Sequence, residues 1–157
     1  MLYCPFDVMT TTTRMIFSGI FDRYPRLKIV LPFAGAGIMN LLGHLDRSYR
    51  IGFTDSTIGD ARTCQRLPST YMGTNMYVEL GLSFSPTTIQ QAINIIGSDH
   101  VLFGTDYPAG PLDKQFTIVK QLDLNPIEME QILWKNCNDL FHLDVQSSAT
   151  YTRSASS

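Results

Sequence analysis

Asp106 has the setting in this 157-residue chain that most suggests chemistry. It lies in "VLFGTDYP", Val101 to Pro108, where an apolar run opens through Gly-Thr into a turn. Its carboxylate is therefore expected just past the carboxyl end of a buried strand, the end at which α/β sheets and barrels hold their sites. A carboxylate there can ligate a metal or take a proton from metal-bound water, and it can equally accept backbone N–H bonds as a turn residue. The octapeptide leaves both readings open. A second strand mouth, "KIVLPFAGAG" from Lys28 to Gly37, carries Phe33, whose benzyl ring neither moves a proton nor binds a metal.

The remaining reactive side chains do not gather around these two. His100 begins the strand that Asp106 follows, and strand residues rise about 3.3 Å each, which places the two roughly 20 Å apart at opposite ends of the sheet. His44 sits between Leu41 and Leu45 on a helical pattern and is expected to pack on the sheet face or its edge; His142, in "LFHLD", is expected to be a surface or packing residue. Cys64 has no histidine or basic cluster beside it to generate a thiolate and reads as an ordinary thiol. "AGAG" lacks the spacing and the lysine of a phosphate loop, so close backbone packing accounts for it better.

These residues must be carried by alternating elements. Ile16 with Ile20 and Phe17 with Phe21 recur at helical spacing after Thr10 to Thr13, and "RYP" stops that helix. Leu27 to Leu31 is too short for a buried helix and reads as a strand covered on both faces. Ile38, Leu41, Leu42, Leu45 and Tyr49 form the stripe of a second helix. Gly52 to Thr74 has little periodicity, and loops of that length are usually functional or disordered. A strand from Met76 to Leu80 comes next, then a helix capped by Ser85 and Pro86 and ended by Gly97, and a third strand from Val101 to Gly104. Asp113 to Leu122 is a weaker helix, and Asn125, Pro126 and Glu128 announce the last, through Trp134. Residues 1–143 form one folded portion, and 144–157 read as a disordered tail of Ser, Ala and Thr. This order demands a parallel α/β sheet with right-handed crossovers.

Composition narrows the function. Apolar and charged fractions of 44% and 17% are those of a globular domain, and a formal charge of -2 offers no basic field for nucleic acid or anionic lipid. No stretch approaches the roughly 20 apolar residues of a membrane span. Cys4, Cys64 and Cys137 are odd in number and widely spaced, which suggests neither a disulfide framework nor a metal knuckle. A soluble, cytoplasmic protein is the expectation.

Taken together, "MIFSGIFDRYPRLKIVLPFAGAG", "VLFGTDYP" and "NCNDLFHL" resemble the amidohydrolase-related family of metal-dependent (β/α)8 barrels, which includes aminocarboxymuconate-semialdehyde, resorcylate and 6-methylsalicylate decarboxylases. The resemblance covers about residues 1 to 143 and implies a partial TIM barrel holding the sixth, seventh and eighth strands. It is short for a closed barrel, which typically needs about 250 residues. The family implies a divalent metal, commonly zinc, held by an HxH or ExH pair on the first strand, a His on the fifth and an Asp on the eighth. Asp106 matches the last of these, and the others belong to a part of the barrel that would precede Met1. Where the family carries an acid/base His in an LPHAGG-type motif, this chain has Phe33, with Gly35-Ala36-Gly37 after it. His44 stands where relatives often have Arg, and Glu79 where they commonly have Asp.

Two functional classes remain. One is a metal-dependent decarboxylase, or a hydrolase of the same family, acting on a small aromatic or related carboxylic acid, with Asp106 as metal ligand and activity only if the missing half is supplied. The other is a non-catalytic remnant or interaction module that self-associates into a homo-oligomer through exposed sheet edges. A flavodoxin-type binding domain would also alternate helix and strand, but Pro32-Phe33-Ala34 makes a poor phosphate loop. For the chain alone, lost acid/base catalysis, typically about 10² to 10⁴ in rate, together with missing ligands predicts essentially no turnover.

Overall fold

The computed structural model describes residues 3–52 and 63–144. Helix α1 runs Tyr3–Phe17, straight through the threonines expected to precede it, because Thr12 is buried and packing overrides the weak helix propensity of β-branched residues. It stops at Gly19, where φ is 68° and an added Cβ would lie 2.6 Å from the Thr63 carbonyl oxygen. A short α2, Ile20–Arg23, then leads to β1, Ile29–Leu31. A 3-10 turn at Ile38–Leu41 enters α3, Leu42–Ile51, so the second amphipathic stripe is helical but tightens in its first turn.

Strand β2, Met76–Glu79, and helix α4, Pro86–Ile96, lie close to their expected bounds, and the Ser85 hydroxyl accepts the Thr88 N–H at 3.3 Å as the N-cap. Strand β3 shrinks to Val101–Leu102, and α5 spans Leu112–Val119. Helix α6, Pro126–Glu130, starts on the expected capping box of Asn125 and Glu128. It passes through a π-helical turn at Gln131–Lys135 into α7, Asn136–Phe141, and so continues well beyond Trp134. All but the first residue of the expected tail, 145–157, lies outside the described residues.

The strands pair in parallel in the order β1-β2-β3. Register puts Leu31, Val78 and Val101 side by side, none more than 4% exposed, and the helices cover them. The opposite face is different. Val30 and Tyr77 are register partners there, Val30 is 37% exposed, and Tyr77 carries the stacked His100 ring at 4.6 Å. The expectation of a strand covered on both faces is thus corrected for β1. On that same face Leu102, the register partner of Glu79, is 3% exposed, so the open part lies at β1.

The segment read as a functional or disordered loop is ordered where it is described, 63–74 being a packed brace, and 53–62 lies outside the described residues. Asp22 accepts from the Tyr71 hydroxyl at 2.6 Å and from the Gln65 N–H at 2.9 Å, with Arg66 Nε at 3.5 Å. Burial alone would raise the Asp22 pKa, but the Tyr71 and Gln65 hydrogen bonds and the Arg66 charge outweigh it and hold the carboxyl below its ordinary range. Ser69 is tied to α3 through Asp46, by its N–H at 2.9 Å and its hydroxyl at 2.7 Å.

With such short strands, side-chain amides complete the backbone pairing. Asn75 Nδ2 donates to the Pro25 and Leu27 carbonyls at 3.1 and 2.9 Å, and Asn136 Nδ2 donates to those of Ser98 and Val101, both at 2.7 Å. Asn136→Ala takes the Nδ2 donor from the buried Val101 carbonyl, while the Ser98 carbonyl keeps the Val101 N–H, and is expected to cost about 1–3 kcal/mol, read as a lower urea midpoint with unchanged slope.

Candidate active site at the carboxyl end of the sheet

Three side chains stand at the mouth formed by the strand ends, one after each strand. Phe33 follows β1 at the start of a run of left-handed backbone, with φ of 59° at Phe33, 51° at Ala34, 84° at Gly35, 54° at Ala36 and 89° at Gly37. Non-glycine residues pay about 1–2 kcal/mol for that region. The run persists because the turn is packed from beneath: a Cβ on Gly35 would come within 3.1 Å of Met39 Cε and 3.3 Å of Val78 Cγ1, and Ala34 is 1% exposed. Close backbone packing, the reading preferred for "AGAG", is what is found.

Glu79 ends β2, half-buried. Its Oε1 accepts the Gly81 N–H at 2.6 Å. Two glycines make the space it occupies, for a Cβ on Gly104 would fall 1.7 Å from Glu79 Oε1 and one on Gly81 2.6 Å from it. Burial pushes the Glu79 pKa up, the Gly81 N–H pulls it down, and the charge of nearby Asp106 adds to the rise. The net effect is a carboxyl that holds a proton to higher pH than an exposed glutamate does. Beneath this turn, Gln115, 1% exposed, donates through Nε2 to the Leu80 carbonyl at 3.0 Å and so fixes the strand end that carries Glu79.

Asp106 follows β3 with φ 56° and is exposed. Its backbone carbonyl accepts the Gly110 N–H at 3.0 Å, while the Tyr107 N–H is taken by the Thr105 hydroxyl at 3.2 Å. The Asp106 carboxylate accepts no hydrogen bond among the described residues, so it does not serve as the turn acceptor that was the alternative reading. It faces the same mouth as Glu79.

The other candidates are elsewhere. His100 belongs to the amino end of β3, its Nδ1 3.1 Å from Asp99 Oδ1. His44 is exposed, not packed on the sheet, because Leu42 and Leu45 turn α3 inward and leave residue 44 outside. His142 is exposed at the left-handed end of α7, and Cys64 is buried. No group of three or more His, Cys, Asp or Glu side chains among the described residues could hold a metal ion. Sequence reasoning registered Glu79 but not its setting. The signal for it was the pair Gly81 and Gly104, which only strand register brings to one carboxylate.

A parallel α/β unit whose acidic groups gather at the carboxyl strand ends is the architecture of barrel hydrolases and lyases. The chain belongs to the amidohydrolase family, whose model matches residues 2–143. It is 30% identical over 131 residues to gamma-resorcylate decarboxylase of Polaromonas sp. strain JS666, covering 83% of this chain and 39% of that enzyme. It is 20% identical over 142 residues to 2-amino-3-carboxymuconate-6-semialdehyde decarboxylase of Caenorhabditis elegans, covering 89% of this chain and 34% of that one. Among solved structures, 5-carboxyvanillate decarboxylase of Sphingomonas paucimobilis matches with a TM-score of 0.76 at 28% identity, covering 85% of this chain and 39% of that one. A dihydroxybenzoic acid decarboxylase of Polaromonas sp. JS666, solved with manganese and 2-nitroresorcinol, matches at 0.75 and 27%, covering 91% and 42%. The chain spans about two fifths of the length of the first relatives it matches. The metal in that dihydroxybenzoic acid decarboxylase structure is manganese, so the zinc implied by the resemblance gains no support from it.

Two substitutions test this geometry. Ala36→Gly removes a Cβ from a left-handed position and is expected to stabilise the fold by about 1 kcal/mol in urea denaturation. For Glu79 the folded pKa is raised, so its contribution is fully present below the ordinary value of 4.5 and is lost as pH rises through the folded value. Glu79→Gln keeps an acceptor for Gly81 and is expected to be more stable than the parent at neutral pH, with the difference vanishing toward acid. A pH series of denaturation midpoints in which the two proteins run parallel would count against the buried-carboxyl account.

Proposed function

We propose that this chain carries the carboxyl-terminal part of the active site of a metal-dependent aromatic-acid decarboxylase, with its three strands as the sixth to eighth of a TIM barrel, and that by itself it does not complete the site. The observation that carries this reading is the Asp106 carboxylate, presented without a hydrogen-bond partner among the described residues at the end of β3, in the "GTDYP" turn that resembles the family's metal-binding one. Asp106 is the metal ligand in this reading. Decarboxylase is preferred to hydrolase because the similar enzymes and solved structures are named as decarboxylases of aromatic or related carboxylic acids.

The reaction class is simple in outline. The bond from a ring carbon to the carboxylate breaks, CO₂ leaves, and the electron pair left on carbon takes a proton. This chain offers Asp106 as one donor to a divalent ion such as manganese or zinc, and Glu79 as a neighbouring proton-holding carboxyl. Two carboxylates do not retain such an ion, since catalytic sites generally need three protein ligands. The residues present therefore do not fit the metal unaided. Phe33, at the position of the family's acid/base His, removes a second requirement.

Metal analysis tests this directly. The purified chain, loaded with manganese and dialysed, is expected to retain well under one ion per molecule and to release no CO₂ from 2,6-dihydroxybenzoate. Phe33→His is expected to leave both results unchanged. A stoichiometric ion that is lost in Asp106→Asn, accompanied by turnover, would overturn the incomplete-site reading while upholding the role given to Asp106.

A further inference from the structure

The loops that leave β2 and β3 meet at the rim of the mouth. A Cβ on Gly110 would lie 3.3 Å from Leu82 Cδ2, and Lys114 Nζ stands 4.1 Å from the centre of the Phe84 ring. Leu82 and Phe84 follow Glu79 in the chain, while Gly110 and Lys114 follow Asp106, so the two contacts join the segments that carry the carboxylates. Because β2 and β3 are adjacent strands, this pairing of loops is complete within the chain.

The charge at this rim is one-sided. Neither Pro32 to Asp46, which follows β1, nor Leu67 to Asp113, which holds β2, β3 and the loops after them, contains a lysine or arginine. Lys114 is therefore the one such cation that the turns after the strands and the helices α4 and α5 bring to the mouth. It is exposed and makes no ion pair among the described residues. It does not serve its own helix either, since a cation in the first turn of α5 meets the positive end of the macrodipole. Asp113 precedes it, but consecutive helix residues do not face each other. What holds the ammonium is the face of Phe84, itself 40% exposed, and that contact leaves the N–H groups on the far side free.

The reaction class sets an electrostatic problem here. The acid to be decarboxylated is an anion, and it has to enter a mouth that presents Glu79 and Asp106. Once CO₂ has left and the ring carbon has taken a proton, the product is neutral. We propose that Lys114 is the substrate-recruiting residue of this mouth: its ammonium, seated on Phe84, receives the carboxylate of an aromatic acid at the rim and has no hold on the decarboxylated ring. This rests on the aromatic-acid reading given above, but not on a metal at Asp106. The Phe84 ring confines a side chain that otherwise swings on a flexible four-carbon stem, so the charge waits in one place. The contact is a charge-assisted hydrogen bond from N–H to carboxylate, which salt weakens and which a ring alone does not satisfy.

The full chain carrying isotope-labelled lysine tests this by NMR. The Phe84 ring current is expected to displace the Lys114 ε-methylene signal upfield, a displacement lost in Phe84→Leu. Titration with 2,6-dihydroxybenzoate is expected to move that signal saturably while those of Lys120 and Lys135 stay in place. Resorcinol, the same ring without its carboxylate, and acetate, a carboxylate without a ring, are expected to move it far less. Affinity, read from broadening of the acid's own proton lines, is expected to fall about tenfold in Lys114→Gln, to be kept in Lys114→Arg and to fall with added salt. Asp106→Asn is expected to bind the acid at least as well as the parent. A Lys114 signal that ignores the acid, an equal response to resorcinol or acetate, an unchanged affinity in Lys114→Gln, or binding that disappears in Asp106→Asn would overturn the proposal. Retention or loss of manganese moves none of these outcomes, so the recruiting role and the incomplete-site reading fail separately.

Discussion

Every peptide group of a buried strand needs a partner, and strands of three, four and two residues offer very little ladder in which to find one. The fold depends on how that shortage is met. Asn75 sits one residue before β2 and reaches the carbonyls that lead into β1; Asn136 reaches that of Ser98, just before β3, and that of Val101, its first residue; Gln115 takes the carbonyl just after β2. Each is buried, and each comes from a different part of the chain. The amides act as detached rungs. Asn136 and Gln115 are helix residues, so these bonds also tie helix to sheet.

The same constraint shapes the strand mouths. A backbone leaving a short strand has to turn before the next helix, and here it turns through left-handed conformations at Phe33, Ala34 and Ala36, at Leu82 and at Asp106. Strain of this kind collects where side chains are aimed at a common point. Glu79 is aimed by absence as well: without the glycines at 81 and 104 its carboxylate would have no volume to enter. Burial, a single N–H and the neighbouring Asp106 charge then set its proton affinity between them.

Much of this was legible in the sequence. Helix α4 carried its cap, its stripe and its stop in plain residues, as did the capping box of α6, and both stand where those signals put them. The position of Asp106 came from a strand that runs into Gly-Thr. Features created by register or by distant pairing could not be read. Residues 63–74 look like loop because their ordering comes from Asp22 and Asp46, more than twenty positions away, and not from local periodicity. His44 seemed packed because the stripe was drawn as one continuous helix, but a 3-10 first turn rotates the residues after it. The π-helical turn left no mark at all. Within it the Ile132 carbonyl accepts the Phe103 N–H at 2.9 Å, a contact between distant parts of the chain.

Phe33 shows how far architecture and chemistry can separate at such a mouth. A bulky aromatic is a poor choice for a left-handed position, and nothing in its ring explains the conformation. Around it, Ala34 and Gly35 are buried, and Met39 and Val78 pack closely against Gly35. The packing beneath Ala34 and Gly35 thus supports the turn independently of any hydrogen bond from residue 33. Asp106 is held in the same way, by the Gly110 N–H on its carbonyl and by Thr105 taking the next N–H, and its carboxylate is left over. A scaffold that keeps its site geometry through backbone contacts keeps it whether or not the chemistry is complete.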